Sequence, residues 1–426
     1  LVMFMTPGLG FFYAGFTRSK NVLGTIMQSF IVVGIVGIQW VVIGYSLAFG
    51  PSQGGIIGDL SFFGLKDVGL APSDTYATTV PHEAFMIFQA MFAIITPALI
   101  TGAFAERAKF STLLVFMLAW SFLGYDPVAH WVFSAGGWLS AFDYPNGIDT
   151  LDFAGGTAIH VNAGAAALAA AFLFGKRRGY GKEPMEPHNV TYIVLGAAIL
   201  WFGWFGFNAG SAGAANGQAA NAFVVTNTAA AAAALSWMFA SWLLAGKASV
   251  IGAAAGAVAG LVAITPASGF VQPMEAIAIG GVAGVICYLA VRLRARTGLD
   301  DSLDVVAVHG VGGTWGAFAT GLFAVAAVGG FNGLFHGEGS QVLDQLAAIG
   351  VVWVYSFTVT AVILKVLDVT MGLRVKDEEE ELGLDVTQHG ERGYVFDEAG
   401  PIAMAPPPVS HAPAPAPMPR AESAEA

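Results

Sequence analysis

The sequence predicts an all-α polytopic membrane protein. It has eleven transmembrane helices, set as two inverted five-helix repeats plus a peripheral eleventh helix. Three observations carry that prediction. Of 426 residues, 56% are hydrophobic and only 11% are charged, with mean hydropathy +0.67. Ordinary soluble domains are about 25% charged, so this composition belongs in a bilayer. The second observation is where the basic residues fall, which alternates from loop to loop. The third is parity: spans one to five and six to ten form two sets of five, and an odd number per set gives the halves opposite orientations.

The spans read 1–17, 24–49, 83–104, 111–138, 151–174, 190–211, 219–245, 250–270, 275–292, 301–328 and 342–371. The first is shorter than the ~20 residues a crossing needs. The chain is therefore expected to begin inside its first helix, without the charged start of a signal peptide. Basic residues follow every odd span: Arg18 and Lys20, Arg107 and Lys109, Lys176 to Arg178 with Lys182, Lys247, Arg292 with Arg294 and Arg296, then Arg374 and Lys376. Of the basic residues, the alternate loops hold only Lys66. By the positive-inside rule the N-terminus lies outside, the C-terminus lies in the cytoplasm, and the protein spans the cell membrane many times. The outer loops are acidic, with Asp59, Asp67, Asp74, Asp143, Asp149 and Glu338.

Three segments follow from this reading. Residues 1–371 form the transmembrane domain, and 372–397 a short structured cytoplasmic region. Residues 398–426 form a Pro/Ala-rich tail, expected to be extended or disordered. The net charge of −11 says little about partners, because the acids sit in loops and tail. No basic stripe points to nucleic acid. A single cysteine, Cys287, excludes a disulfide framework and a cysteine-built metal site. Nothing in the sequence calls for a cofactor.

Ionisable groups inside a membrane are functional candidates. Here they include His160, His309, Asp152, Asp304, His130 and Asp126. Asp152 precedes His160 by eight residues in DFAGGTAIHVNAG. In an unbroken helix that spacing puts both on roughly one face, about 12 Å apart. Span five enters from outside and span ten from the cytoplasm, and each carries its histidine to a similar depth. Sequence similarity between the halves is weak, so the repeat rests on topology. Two readings of the histidines stay open. They are either unrelated buried groups bonded to carbonyls, or one pair sharing a proton, with the outer nitrogens lining a path. A metal site lacks a third ligand at suitable spacing. Asp152 and Asp304 each read as a helix N-cap as readily as a functional acid. Among the aromatics, most of which pack or anchor, Phe88/Phe92 and Trp204/Phe207 stand beside small or polar residues. Ser211 follows Phe207 by one turn.

At this point the residues resemble a family. The stretches MTPGLGFFYAGFTRSKNVL, FAIITPALITGAFAERAKF, DFAGGTAIHVNAG, GWFGFNAGSAGAAN, ITPASGF and DDSLDVVAVHGVGGTWG, in this order, are similar to the ammonium transporter (Amt/MEP/Rh) family, bacterial Amt type. The resemblance covers nearly all of 1–397. It implies a homotrimer with a pore through each subunit and His160 and His309 as twin pore histidines. It also implies a gate of Phe92 and Phe207, an outer recruiting site at Ser211 and Phe133, and Asp152 as its support. Trp204 lies beside the gate. It further implies ammonium or ammonia as substrate, no enzymatic activity, and a PII-type signal protein as a partner at the cytoplasmic face. One departure stands out. Phe133 in AHWVFSAGGW occupies the position where the family usually has a tryptophan, with Trp131 and Trp138 out of register. The 138–150 loop also looks longer than in typical bacterial members. The expected chemistry is recruitment of ammonium outside, loss of its proton near the Phe gate, and passage of ammonia past the histidines. The alternative is an ammonium sensor with little or no flux.

Overall fold

The computed structural model describes residues 1–141 and 147–395. Asp143 and the Pro/Ala tail lie outside the described residues, as does part of the long 138–150 loop.

Helices occupy the expected positions: α1 (Met5–Phe16), α2 (Ser19–Phe49), α3 (His82–Phe104), α4 (Phe110–Phe133), α5 (Gly156–Phe174), α6 (Val190–Gly210), α7 (Gly217–Ala245), α8 (Val250–Ile264), α9 (Pro273–Thr297), α10 (306–323) and α11 (Ser340–Thr370). Among the described residues, eight of these are long and apolar enough to cross a bilayer: α2 to α7, α9 and α11. The chain is thus an all-α multi-pass membrane bundle. Two small antiparallel hairpins interrupt the helical plan in the loop before α3, pairing Ser52–Gln53 with Ile57–Gly58 and Pro72–Ser73 with Ala77–Pro81.

Several helix ends differ from expectation, and four of them have a local reason. α5 starts at Gly156 rather than 151, because Gly155 turns the chain with φ +111° and Asp152 stays outside as a cap. α8 stops at Ile264 rather than 270, because Pro266 has no N–H with which to continue the helical hydrogen bonds. α4 ends at Phe133, where Ser134 is extended. α10 starts at Val306 rather than 301, after Asp304 takes a left-handed φ of +59°.

Small residues set the packing, as expected where lipid gives no hydrophobic push between helices. On α8, Gly256 and Gly260 lie against the backbone of Ala233 and Ala229 of α7; on α9, Gly284 and Gly280 lie against the same two residues. The closest approach for function is that of α5 and α10. A Cβ on Gly164 would strike the backbone of Gly310, and one on Gly313 would sit 2.9 Å from the His160 Cβ. These two helices therefore touch backbone to backbone beside their histidines.

The basic loops meet at one end of the bundle. The Glu106 carboxylate accepts from Arg18 N and Nε (2.8 and 2.9 Å), Asn21 Nδ2 (2.9 Å) and Arg177 Nη1 (2.6 Å). Arg177 also grips Asp300, with Nη2 at 2.8 Å from Oδ1 and Nε at 3.0 Å from Oδ2. Arg107 donates to the carbonyls of Ala103 and Asp300. Burial opposes charge on Glu106, yet the Arg177 and Arg18 guanidiniums hold its carboxyl at about 2, below the ordinary range. Two short helices, α12 (Asp377–Leu382) and α13 (Leu384–His389), dock on these loops. Glu380 binds Arg374 Nη2 at 2.6 Å and Arg178 N at 2.6 Å, and Asp385 Oδ1 accepts from Gly24 N at 2.8 Å.

Candidate functional site: a histidine pair beneath an aromatic barrier

α5 and α10 each begin with a π-helical turn, Gly156–Val161 and Val306–Val311, and each turn holds a histidine. π-turns inside α-helices are rare and mark functional positions. Here they deliver His160 and His309 face to face. Their Nδ1 atoms are 3.2 Å apart and the ring centroids 5.2 Å apart, with planes inclined by 24°. One Nδ1 donates and the other accepts. The reading of two unrelated buried histidines is thereby excluded. His160 Nε2 has no partner and is left to the lumen.

The lumen beside the pair is narrow, with about 10 Å³ of free space. Its wall combines the two histidines with Leu99, Trp204, Phe207 and Val258. The Trp204 ring stacks on His160 at 5.4 Å, and its Nε1 donates to Thr265 Oγ1 at 2.8 Å, which fixes the ring. Phe92 meets Phe207 edge to face at 4.3 Å. Phe207 lines the lumen, while Phe92 lines a wider cavity of about 680 Å³ beyond it. The Phe92–Phe207 contact is therefore the partition between the two spaces.

The wide cavity collects the other expected residues: Phe133, Ser211 and Asp152 all line it. Phe133 lies 6.4 Å from Phe92 between ring centroids. Ser211 Oγ donates to Phe207 O at 2.9 Å, so its lone pairs remain to accept. Trp131 and Trp138 are turned elsewhere. They pack on each other at 5.7 Å, and Trp131 Nε1 donates to Ile56 O. Phe133 stands in for neither.

Asp152 is a cap in full. Its Oδ1 accepts from the backbone N–H of Gly155 (2.8 Å) and Gly156 (2.7 Å), and its Oδ2 from Thr157 (2.8 Å) and Ala158 (3.0 Å). It anchors the turn that carries His160. Asp304 does not cap α10. It pairs with Arg294 at 2.7 Å, and Asp301 Oδ2 accepts from Val306 N at 2.8 Å instead.

Two residues join the site that sequence reasoning left aside, and Phe88, which it singled out, joins with them. Phe88 packs on Phe92 at 4.7 Å. Gln89 lines the wide cavity with its Oε1 unpartnered. Asp301 precedes His309 by eight residues, the spacing that separates Asp152 from His160. That shared spacing was the available signal.

A multi-pass helical bundle with an aromatic partition above a histidine-lined lumen has the build of a membrane transport protein rather than an enzyme. The profile of the Ammonium Transporter Family matches residues 1–394, and the chain belongs to that family. It is 49% identical over 397 residues to an ammonium transporter of Bacillus subtilis, covering 92% of this chain and 96% of that one. It is 46% identical over 394 residues to ammonium transporter Amt1 of Archaeoglobus fulgidus, again covering 92% and 96%. Among solved structures, Candida albicans Mep2 superposes with a TM-score of 0.83 at 40% identity, over 95% of this chain and 90% of that one. A structure described as a sensor Amt protein superposes with a TM-score of 0.82 at 31% identity, over 91% and 95%.

Proposed function

We propose that the protein carries ammonium across the cell membrane by separating it into ammonia and a proton. Ammonium is recruited from outside in the wide cavity by the Ser211 hydroxyl and the Phe133 ring. It loses its proton beside Phe92 and Phe207, and ammonia passes the His160–His309 pair. The observation that supports this reading is the partition itself: polar acceptors on one side, and on the other an apolar lumen ending at two histidines.

Magnitudes favour dissociation over passage of the ion. Moving a charge to the bilayer centre costs about 2.5 to over 10 kcal/mol. A cation–π contact returns only about 0.5–2 kcal/mol. Deprotonation, with the ammonium pKa roughly two units above ambient pH, costs about 3 kcal/mol. K⁺ has no proton to lose, so the same barrier rejects it.

In this reading the chain crosses the membrane eleven times, as two inverted five-helix repeats with α11 peripheral. The N-terminus is outside and the C-terminus cytoplasmic. Residues 1–371 form the transporter domain of a homotrimer. The 372–397 region, docked on the basic loops, offers a PII-type signal protein its cytoplasmic platform.

The test is an ammonium pulse on proteoliposomes, reading both current and internal pH, with K⁺ as control. Wild type is expected to pass ammonium saturably and exclude K⁺, and His309→Ala to lose at least tenfold of the flux. Wild-type flux in His309→Ala would remove the histidine pair from the path. A sensor is the second reading, supported by the fold shared with the sensor Amt protein. The identity to that sensor is 31%, against 49% and 46% to the transporters of Bacillus subtilis and Archaeoglobus fulgidus. Binding without flux would put it first.

A further inference from the structure

The bundle contains a second buried polar cluster that the path above does not use. Asp126, at the base of the last turns of α4, has no exposed surface. Its Oδ2 accepts from Gln39 Nε2 of α2 at 2.7 Å. Its Oδ1, the Gln39 Oε1 and the Tyr125 hydroxyl are all buried without a partner. Each such atom costs about 1–3 kcal/mol. Three gathered around one carboxyl call for an explanation.

The cluster is connected to the pore. Next to Tyr125, Gly124 O accepts from Asn162 Nδ2 at 3.2 Å, and Asn162 stands two residues beyond His160 with its own Oδ1 unpartnered. The other ionisable groups nearby are committed elsewhere. His130 bonds Ser52 Oγ and Ala48 O, and His82 bonds the Tyr45 hydroxyl.

The backbone gives an independent sign. Among the described residues there are four π-turns. Two carry the pore histidines. The other two, Trp40–Gly44 and Ser121–Tyr125, directly follow Gln39 and directly precede Asp126. The same rare device thus marks the twin histidines and this pair.

We propose that Asp126 is a buried proton-holding group, tied to the helix of His160 through the Gly124–Asn162 bond, which takes up the proton that ammonium releases at the Phe92–Phe207 partition. The assignment rests on the dissociation reading above. An N–H bond of ammonium breaks and its electron pair stays on nitrogen, giving ammonia. The proton ends on Asp126 Oδ1, so a cation and a carboxylate become two neutral groups. Release of that proton restores the carboxylate. A purely structural Gln39–Asp126 tie between α2 and α4 would exchange no proton.

The experiment is infrared difference spectroscopy on the full chain in proteoliposomes during an ammonium pulse, with K⁺ as control and currents recorded alongside. A protonated-carboxyl band is expected with ammonium alone, and its loss in Asp126→Asn, with current reduced at least tenfold. The same band in Asp126→Asn would overturn the assignment. If that variant does not assemble, Asp126→Glu serves: a shifted band supports the proposal and an unshifted one overturns it. A wild type that gives the Asp126 band without current keeps the assignment and means that the proton returns to its own side. A wild type that passes no ammonium in either assay ends the transport reading, and the band then decides Asp126 by itself.

Discussion

The two histidine-bearing helices are alike in their turns and unlike in their anchors. α5 starts from Asp152, whose carboxylate takes four backbone N–H groups. α10 starts from Asp301, whose Oδ2 takes the Val306 N–H while its Oδ1 is unpartnered. What α10 lacks in its cap it gains from the ion cluster: Arg177 holds Asp300, and Arg107 reaches the Asp300 carbonyl and the Ser302 hydroxyl. One histidine is thus positioned by a local cap that faces the wide cavity. The other is positioned by long-range ion pairs at the end where the basic loops meet. The anchor open to the wide cavity is built from the backbone, and the remote one is built from side chains of distant loops.

The sharpest way to break this comparison is to remove the two caps in turn. Asp152→Ala leaves four backbone donors without their acceptor, at about 1–3 kcal/mol each. That is comparable to the whole stability of many domains. The variant is expected to be recovered in low yield, or to melt far below wild type in detergent. Asp301→Ala is expected to lose no more than about half as much, because Arg107 and Arg177 still hold its neighbours. Equal losses in melting temperature would show that the two anchors are equivalent after all.

The ion cluster gives the next largest effect. Glu106 is almost fully buried beneath Arg18 and Arg177. Glu106→Gln leaves Arg18 without its charge partner and Arg177 with Asp300 alone, at a cost of about 3–5 kcal/mol. The wild-type carboxyl is depressed to about 2. Its contribution is therefore complete above pH ~4.5 and is lost as pH falls toward about 2, amounting to ~3 kcal/mol. Melting curves in that window should fall steeply for wild type and more gently for Glu106→Gln. Parallel curves would mean that the cluster does not hold the start of α10.

The contrast also shows what a sequence displays. The helices and the basic loops between them were legible, because apolar runs and the loops holding Arg18, Arg107 and Arg177 are local features. The histidine pairing was reachable from depth alone, since two antiparallel spans carry them equally far. The π-turns were not legible. Nor was the backbone contact of Gly164 with Gly310 beside two of them, which joins residues far apart in the chain. Nor was the cap of α10. Asp304 lies nearer the helix start than Asp301, but its left-handed backbone and its bond to Arg294 take it away. The role of Glu106 was hidden for the same reason, since its partners Arg18, Asn21 and Arg177 come from two other loops.

The smallest effect bears on the cavity side of the comparison. Where the resemblance leads one to expect tryptophan, Phe133 lines the wide cavity near Phe92 and Ser211. Trp is the better cation–π partner, and the difference at a partly hydrated site is about 0.5–1 kcal/mol, or roughly two- to fivefold in affinity. Phe133→Trp should therefore lower the ammonium concentration for half-maximal current by that factor and leave the maximal current unchanged, because recruitment precedes the step at the partition. A rise in maximal current with an unchanged midpoint would place position 133 at the barrier instead of the recruiting site. No change in either would remove it from contact with the cation and leave Ser211 and the unpartnered Gln89 Oε1 as the acceptors that draw ammonium in.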